Sequence, residues 1–249
     1  GGTPMAQKTK TILRIVALVI AVAALAISGT FFMASRDFKL LESGEVIKDV
    51  SAVKGKIMNM YVVKLPNGDY IGFDAGDDAD LIRQELAKLK IAPEKIIAVF
   101  LTHSDYDHVA ALSLFKNAKI YISEKEEQMI NGKTKRFLVR SNTPLPAPYL
   151  KLNDNDVLTF GSTKVMAVAT YGHTPGSFSY ILNDTILFSG DNLLLKDNKV
   201  TTFPKLFTMD IETQKSSIRK LAKQAGLKYD FTAHSGYTDN FQEAVKEWQ

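Results

Sequence analysis

The chain has 249 residues, of which 45% are hydrophobic and 23% are charged, a composition typical of a globular protein and not of a disordered one. It contains no cysteine, which excludes disulfides, thiolate metal sites and cysteine nucleophiles. The net charge is +4, but Lys8, Lys10 and Arg14 supply three of the 31 basic residues, so 28 basic residues face 27 acidic ones elsewhere. A nearly neutral remainder lacks the basic surface that nucleic-acid binding requires, so we expect no nucleic-acid partner.

The first 34 residues form a separate region. Residues 1–4 precede Met5, and we expect them to be a cloning remnant. Residues 5–34 are predicted to be a signal anchor with a transmembrane helix, because twenty uncharged residues follow Arg14: IVALVIAVAALAISGTFFMA. Basic residues lie only before this run, which places the N-terminus in the cytoplasm and the rest outside. The alternatives are a buried helix and a signal peptide cleaved at residues 24–26, which would leave a secreted protein.

A polar linker is expected over residues 35–45 and one domain over residues 46–249. In its first half, apolar runs predict strands over 46–50, 57–65, 70–73, 96–101 and 120–122, and periodicity predicts helices over 80–89, 107–115 and 123–130. A surface loop is expected over 131–150, which contains three prolines. The second half repeats the order, with strands over 157–160, 163–169, 177–182, 185–189 and 229–233 and helices over 211–225 and 240–248. Two such β/α halves favour two stacked sheets with helices outside.

The four histidines come directly after predicted strands, each with polar neighbours. The first segment is THSDYDH over residues 102–108, and the others are YGHTPGS over 171–177 and AHSG over 233–236, with SGD over 189–191 after a further strand. Alternate residues of an extended segment point the same way, so His103 and Asp105 can share one metal while Asp107 and His108 face a second. Imidazole and carboxylate together suit Zn²⁺, Mn²⁺ or Fe.

Taken in order, these motifs resemble the metallo-β-lactamase superfamily, whose pattern is His-x-His-x-Asp-His, then Gly-His-Thr-x-Gly, an Asp and a last His. The resemblance covers about residues 45–249 and implies an α+β, αββα sandwich, here with the N-terminal transmembrane helix added. Asp74-Ala75-Gly76 resembles the family's early Asp-Thr-Gly element, which favours Asp74 as a hydrogen-bond acceptor behind the site over the alternative of a metal ligand. The resemblance also implies the ligands of two metals: His103, Asp105 and His173 for the first, Asp107, His108 and His234 for the second, and Asp191 bridging both.

Asp105 departs from this pattern, because the family has a histidine there. With Asp105, three carboxylates offset the charge of two divalent ions and leave the site a net charge of about +1. A histidine at this position would leave about +2. The lower positive charge acidifies a bound water less. Carboxylate also favours Mn²⁺ or Fe more than imidazole does. We therefore expect one or two divalent transition metals, zinc foremost. A dinuclear site, a site with only the second metal, and an iron site similar to that of flavodiiron proteins stay open.

The resemblance implies a metallo-hydrolase in which a metal-activated water attacks an ester, thioester, lactone or β-lactam bond of a small molecule, with Asp107 and Asp191 as catalytic groups. Tyr106, Asn192 and Tyr237 lie beside the ligands and are candidates for substrate contacts. Residues 196–207 form either a lid or a plain connection. The alternatives are a membrane-tethered binding module without turnover, which Asp105 suggests, and an iron-dependent oxidoreductase of the same fold.

Overall fold

The computed structural model describes residues 4–136, 142, 144–145 and 148–249, which divide into two compact units, Gly1–Asp37 and Phe38–Gln249. Within the described residues there are six α-helices: α1 (Pro4–Ser35), α2 (Ala79–Lys88), α3 (Tyr106–Val109), α4 (Glu127–Ile130), α5 (Ile211–Ala222) and α6 (Phe241–Ala244). The same residues form fifteen strands: β1 (Gly44–Ile47), β2 (Val50–Lys54), β3 (Asn59–Lys64), β4 (Tyr70–Phe73), β5 (Ile96–Phe100), β6 (Lys119–Ser123), β7 (Tyr149–Leu152), β8 (Val157–Phe160), β9 (Thr163–Ala169), β10 (Phe178–Leu182), β11 (Ile186–Gly190), β12 (Leu194–Lys196), β13 (Lys199–Thr201), β14 (Tyr229–Thr232) and β15 (Tyr237–Thr238).

The first unit contains α1, which covers the predicted transmembrane segment. In the part of the chain that the structure describes, none of the helices combines the length and the apolarity needed to cross a membrane. The predicted transmembrane helix is therefore wrong. The prediction rested on the absence of charge over residues 15–34, whereas a membrane span requires a helix of the described residues that is both long and apolar. Residues 1–3 of the predicted cloning remnant lie outside the described residues, and the predicted location outside the cytoplasm stays untested.

The second unit is built on two sheets and a hairpin. The first sheet has seven strands in the order β1-β2-β3-β4-β5-β6-β7, antiparallel up to β4 and parallel from β4 onward. The second has six strands in the order β15-β14-β11-β10-β9-β8, in which only β11 and β14 run parallel. Strands β12 and β13 form a separate hairpin.

An aromatic core holds the two sheets together. Phe73 of the first sheet stacks on Phe188 of the second with ring centroids 3.7 Å apart, and Phe100 lies 5.2 Å from Tyr180. All four rings belong to one buried cluster, and aromatic pairs of this kind add to the free energy of burial. The sheets therefore pack face to face, as the sequence predicts.

Helices cover the outer faces of both sheets. Ile82 and Leu86 of α2 pack with Val99 on the first sheet, and Ile218 and Leu221 of α5 belong to a third cluster with residues of the second sheet. Both of these helices begin at an aspartate N-cap. The Asp78 side chain accepts a hydrogen bond from the Leu81 amide at 2.9 Å, and Asp210 caps α5 in the same way. The predicted αββα sandwich is confirmed.

Several element boundaries differ from those predicted. The strand expected over 46–50 is interrupted at Asp49, whose φ of 65° belongs to a tight turn between β1 and β2. The helix expected over 107–115 is reduced to α3 and a 3-10 turn at Leu112–Leu114. The chain is extended at Asp105 immediately before α3, and this extended entry positions the site residues described next.

Candidate metal centre

Four chain segments meet at one end of the sandwich, following β5, β9, β11 and β14. Backbone hydrogen bonds join the sheets there: the Phe178 amide donates to the Thr102 carbonyl at 2.8 Å, and the Asn59 amide donates to the Ala233 carbonyl at 2.7 Å. This edge brings together all seven predicted metal ligands, which are His103, Asp105, Asp107, His108, His173, Asp191 and His234.

The first ligand set comprises His103, Asp105 and His173. The Nε2 atoms of His103 and His173 are 3.1 Å apart, and Asp105 Oδ2 lies 3.4 Å from the former and 3.3 Å from the latter. Both histidines are buried, whereas the Asp105 side chain is 17% exposed. Alternate positions 103 and 105 do point the same way, as extended geometry requires.

The second ligand set comprises Asp107, His108 and His234. Asp107 Oδ2 lies 3.6 Å from His108 Nε2 and 3.5 Å from His234 Nε2. The two histidines are almost completely buried, and the Asp107 side chain is 22% exposed. The distances bring the three donor atoms within reach of a single ion.

Asp191 lies between the two sets. Its Oδ2 is 3.4 Å from His173 Nε2 and 4.0 Å from His103 Nε2, and its Oδ1 is 3.4 Å from His108 Nε2 and 3.2 Å from His234 Nε2. Each carboxylate oxygen therefore faces a different set. This is the arrangement that a bridging carboxylate requires.

Asp74 holds His108 from behind. Its Oδ2 accepts from His108 Nδ1 at 2.8 Å, and the Thr102 amide donates to Oδ1 at 2.8 Å. An Nδ1–H donated to Asp74 leaves the lone pair of His108 on Nε2, the atom that faces the site. Similarly, His234 Nδ1 donates to the Ile57 carbonyl at 2.6 Å, which directs its Nε2 inward.

The glycines of the 171–177 segment are needed for close packing. A Cβ on Gly172, whose φ is +136°, would lie 2.3 Å from the Gln214 backbone nitrogen. A Cβ on Gly176 would lie 2.2 Å from the Glu126 backbone nitrogen. The loop carrying His173 can therefore be seated this deeply only with glycine at both positions.

Two site residues were missed by sequence analysis. Glu126 is fully buried and accepts from the Ser104 amide at 3.0 Å, the Ser104 hydroxyl at 2.7 Å and the Thr174 hydroxyl at 2.6 Å. It therefore ties together the two loops that carry His103 and His173. Its position in a charged segment resembled a solvent-exposed helix, and the sequence carried no signal of burial.

The second missed residue is Arg136, from the segment predicted to be a surface loop. Its Nη2 lies 2.5 Å from Asp105 Oδ2 and 2.9 Å from His173 Nε2, and its Nε donates to Asp105 Oδ1 at 3.0 Å. The side chain is 8% exposed. The rest of that predicted loop is partly outside the described residues, but residues 149–152 form β7.

The charges of the site are strongly coupled. Burial raises the pKa of Asp105 by itself, but His103, His173 and Arg136 outweigh it and hold that pKa well below 3.8. Burial and the Arg136 charge lower the pKa of His173 to about 3, so this imidazole is neutral. For His108, burial acts to lower the pKa, and the Asp74, Asp191 and Asp107 carboxylates raise it well above 6.5.

The two ligand sets differ in how well they fit a metal ion. Within the part of the chain that the structure describes, His108 Nε2, His234 Nε2 and Asp191 Oδ1 are buried without a hydrogen-bond partner, which is costly unless a ligand satisfies them. The second set therefore fits a divalent ion. The first set does not fit one as it stands, because the Arg136 guanidinium already contacts Asp105 Oδ2 and His173 Nε2.

The three candidates for substrate contacts lie in different surroundings. Tyr106 is 56% exposed, between Asp105 and Asp107. Asn192 is buried and its amide donates to the Phe178 and Ser189 carbonyls, while Tyr237 stacks on a core ring. The structure thus surrounds Asn192 and Tyr237 with packing contacts and leaves Tyr106 accessible.

An aromatic wall, formed by Phe38 and Phe203, borders the site. Phe38 stacks on His234 with centroids 4.5 Å apart, and Phe203 lies 5.0 Å from His173 and 5.4 Å from His234. Phe203 is buried and belongs to the 196–207 segment, which therefore packs against the site.

Comparison with known proteins agrees with this geometry. The family model described as "Metallo-beta-lactamase superfamily" matches residues 54–236. A protein of Methanocaldococcus jannaschii named a probable metallo-hydrolase is 30% identical over 162 residues, 64% of this chain and 67% of that one. Another probable metallo-hydrolase, from Bacillus subtilis, is 28% identical over 213 residues, 72% of this chain and 81% of that one.

Solved structures give the same result. The B3 metallo-beta-lactamase BLEG-1 is 26% identical, with a TM-score of 0.62 over 78% of this chain and 95% of that one. A mutant of a metallo-beta-lactamase from Cronobacter sakazakii, 18% identical, shares the fold with a TM-score of 0.66 over 84% of this chain and 94% of that one. The chain therefore belongs to the metallo-β-lactamase superfamily, as a metallo-hydrolase.

Proposed function

We propose that this protein is a zinc-dependent hydrolase of carboxylic acid derivatives, namely an ester, a thioester or a lactone of a small molecule. The observation that carries the proposal is the second ligand set together with Asp191. Buried His108, His234 and Asp191 direct donor atoms that lack hydrogen bonds at one region beside Asp107. Imidazole and carboxylate donors of this kind are those of catalytic zinc sites. When bound, the metal supplies an acidified water and polarises the substrate oxygen.

The chain's own residues complete the chemistry. The Asp107 carboxylate is more exposed than that of Asp191, 22% against 5%, and is placed to take up a proton and pass it to solvent. Asp74 and the Ile57 carbonyl fix the tautomers of His108 and His234. Buried, preoriented groups of this kind need no rearrangement as charge develops on the substrate.

The bond class is argued from the surroundings of the site and from relatives. The aromatic wall offers an apolar surface against His173 and His234, which suits the acyl part of an ester or thioester. A hydroxyacylglutathione hydrolase of Bartonella quintana is 29% identical over 126 residues, 49% of this chain and 44% of that one. Its name supports thioester cleavage as the first activity to assay.

The test measures hydrolysis of four substrates, an aryl ester, an aryl thioester, a lactone and a β-lactam, by the full chain loaded with zinc. We expect turnover of at least one of the first three, with kcat/KM lowered at least 100-fold in Asp107→Ala and in His234→Ala. The exposed Asp80→Ala, which loses only a surface ion pair with Arg83, is the matched control and should keep full activity. Turnover of the β-lactam alone contradicts the bond class, and no turnover with zinc bound leaves a binding module without catalysis.

A further inference from the structure

The Arg136 guanidinium lies inside the first ligand set. It contacts both oxygens of Asp105, at 3.0 Å from Nε and 2.5 Å from Nη2, and Nη2 also lies 2.9 Å from His173 Nε2. These contacts use Asp105 Oδ2 and His173 Nε2, the same two atoms that would have to coordinate an ion in this set. The guanidinium and a metal ion therefore compete for one position.

Other contacts hold Arg136 and Asp105 in place. Arg136 Nη1 donates to the Phe207 carbonyl at 2.6 Å, and Nη2 lies 3.5 Å from the His173 carbonyl. Asn142 Nδ2 donates to Asp105 Oδ1 at 3.1 Å and to the Ser104 hydroxyl at 2.7 Å. A planar guanidinium engaged on several edges and almost fully buried is a built ion pair, unlike a surface side chain that happens to lie nearby.

The charges agree with a single ion. Asp105, Asp107 and Asp191 contribute three negative charges, which one divalent ion and the Arg136 guanidinium together neutralise. Two divalent ions beside the guanidinium would leave a net charge of +2 in a buried site, and like charges at contact distance repel strongly there. The guanidinium also explains why position 105 carries a carboxylate, because an imidazole could not form this bidentate pair with a guanidinium.

We infer that Arg136 takes the place of the first metal ion, so that the protein binds one divalent ion, in the second ligand set. The inference depends on the metal centre of the proposed function but not on the bond that is cleaved. Arg136 is accordingly a positioning residue that holds Asp105 and His173 where a first ion would otherwise hold them.

The test counts bound zinc by equilibrium dialysis and mass spectrometry on the full chain, with Co²⁺ absorption as a second readout. Wild type should bind one equivalent, and Arg136→Ala should bind a second with its Kd tightened at least 100-fold. The control is Arg83→Ala, an exposed arginine paired with Asp80 on α2, which should stay at one equivalent.

A double variant guards against misfolding of Arg136→Ala, which leaves the largely buried Asp105 carboxylate without its cation. Asp105→His with Arg136→Ala removes both charges and should bind two equivalents. Two tight equivalents in wild type, or one in both Arg136 variants, would overturn the inference while leaving the hydrolase intact. One equivalent without hydrolysis would instead contradict only the proposed function, and no zinc in any variant would overturn both.

Discussion

Asp74 shows how one buried side chain can set the chemistry of a histidine that it holds in place. It adopts a left-handed backbone conformation, with φ of 56°, and accepts from His108 Nδ1 at 2.8 Å. In an Asp74→Asn variant the new side chain would tolerate this backbone conformation and match the shape of the aspartate. However, the amide nitrogen of the new asparagine would face the Thr102 amide or hydroxyl. Both of these groups donate to Asp74 in the wild type, so one donor would face another.

We therefore expect Asp74→Asn to weaken zinc binding about 10- to 100-fold, the usual effect of removing a partner of a ligating histidine. The measurement is the zinc Kd by competition with a chelator. The matched control is Asp49→Asn, which also has a positive φ but is exposed in the β1–β2 turn. Equal zinc affinity in wild type and Asp74→Asn would show that Asp74 does not orient His108.

At the scale of single elements, β14 carries a buried acid in the second sheet. Asp230 lies in β14 between β11 and β15, and burial raises its pKa from 3.8 to about 7. An acid whose pKa is raised by folding stabilises the native state below the unfolded pKa and loses that contribution as the pH rises toward the folded pKa. The contribution of Asp230 to the free energy of unfolding is therefore lost between about pH 4 and pH 7.

Asp230→Asn should remove this pH dependence. Relative to the variant, wild type is expected to lose about 2–3 kcal/mol of the free energy of unfolding between pH 5 and pH 8, because each pKa unit corresponds to about 1.4 kcal/mol. Urea denaturation of both metal-free proteins at the two pH values measures it. The exposed Asp80→Asn should show no such difference, and a constant gap between wild type and Asp230→Asn would contradict the prediction.

At the scale of the whole molecule, Glu126 connects the two halves of the sandwich at the site. It accepts hydrogen bonds from Ser104, which follows the first sheet's β5, and from Thr174, which follows the second sheet's β9. Burial raises the pKa of Glu126, and the His103 charge and the hydrogen bonds from Thr174 and Ser104 act to lower it. Removing the acceptor would leave the buried Ser104 amide and hydroxyl without it and would leave the Thr174 hydroxyl only its contact with Ser177.

Glu126→Ala is therefore expected to lower the free energy of unfolding by about 3 kcal/mol, the order of the cost of unpaired buried donors. Glu126→Gln, which keeps one carbonyl oxygen, should recover part of the loss. Glu94→Ala changes an exposed glutamate and serves as the control. Urea unfolding at neutral pH provides the comparison, and an unchanged midpoint in Glu126→Ala would refute this role.

Much of the candidate site could be predicted because its chemistry is local in sequence. His103 and Asp105 share an extended segment, and glycines around His173 mark where the backbone must pass close to another chain segment. Strands β9 to β11 were predicted to within a residue because their alternation and turns are short-range signals. The predicted transmembrane helix was wrong, because within the described residues no helix has both the length and the apolarity that a membrane span requires.

The sequence by itself therefore determined the sandwich, the set of seven candidate ligands and the unusual carboxylate at position 105. Only the tertiary structure decided what that carboxylate pairs with, since Arg136 comes from 31 residues further along the chain and has no sequence signal of burial. It likewise decided that Glu126 is internal. Long-range pairing of charged side chains depends on which loops the packed sheets bring together, and residue spacing alone carries no information about that.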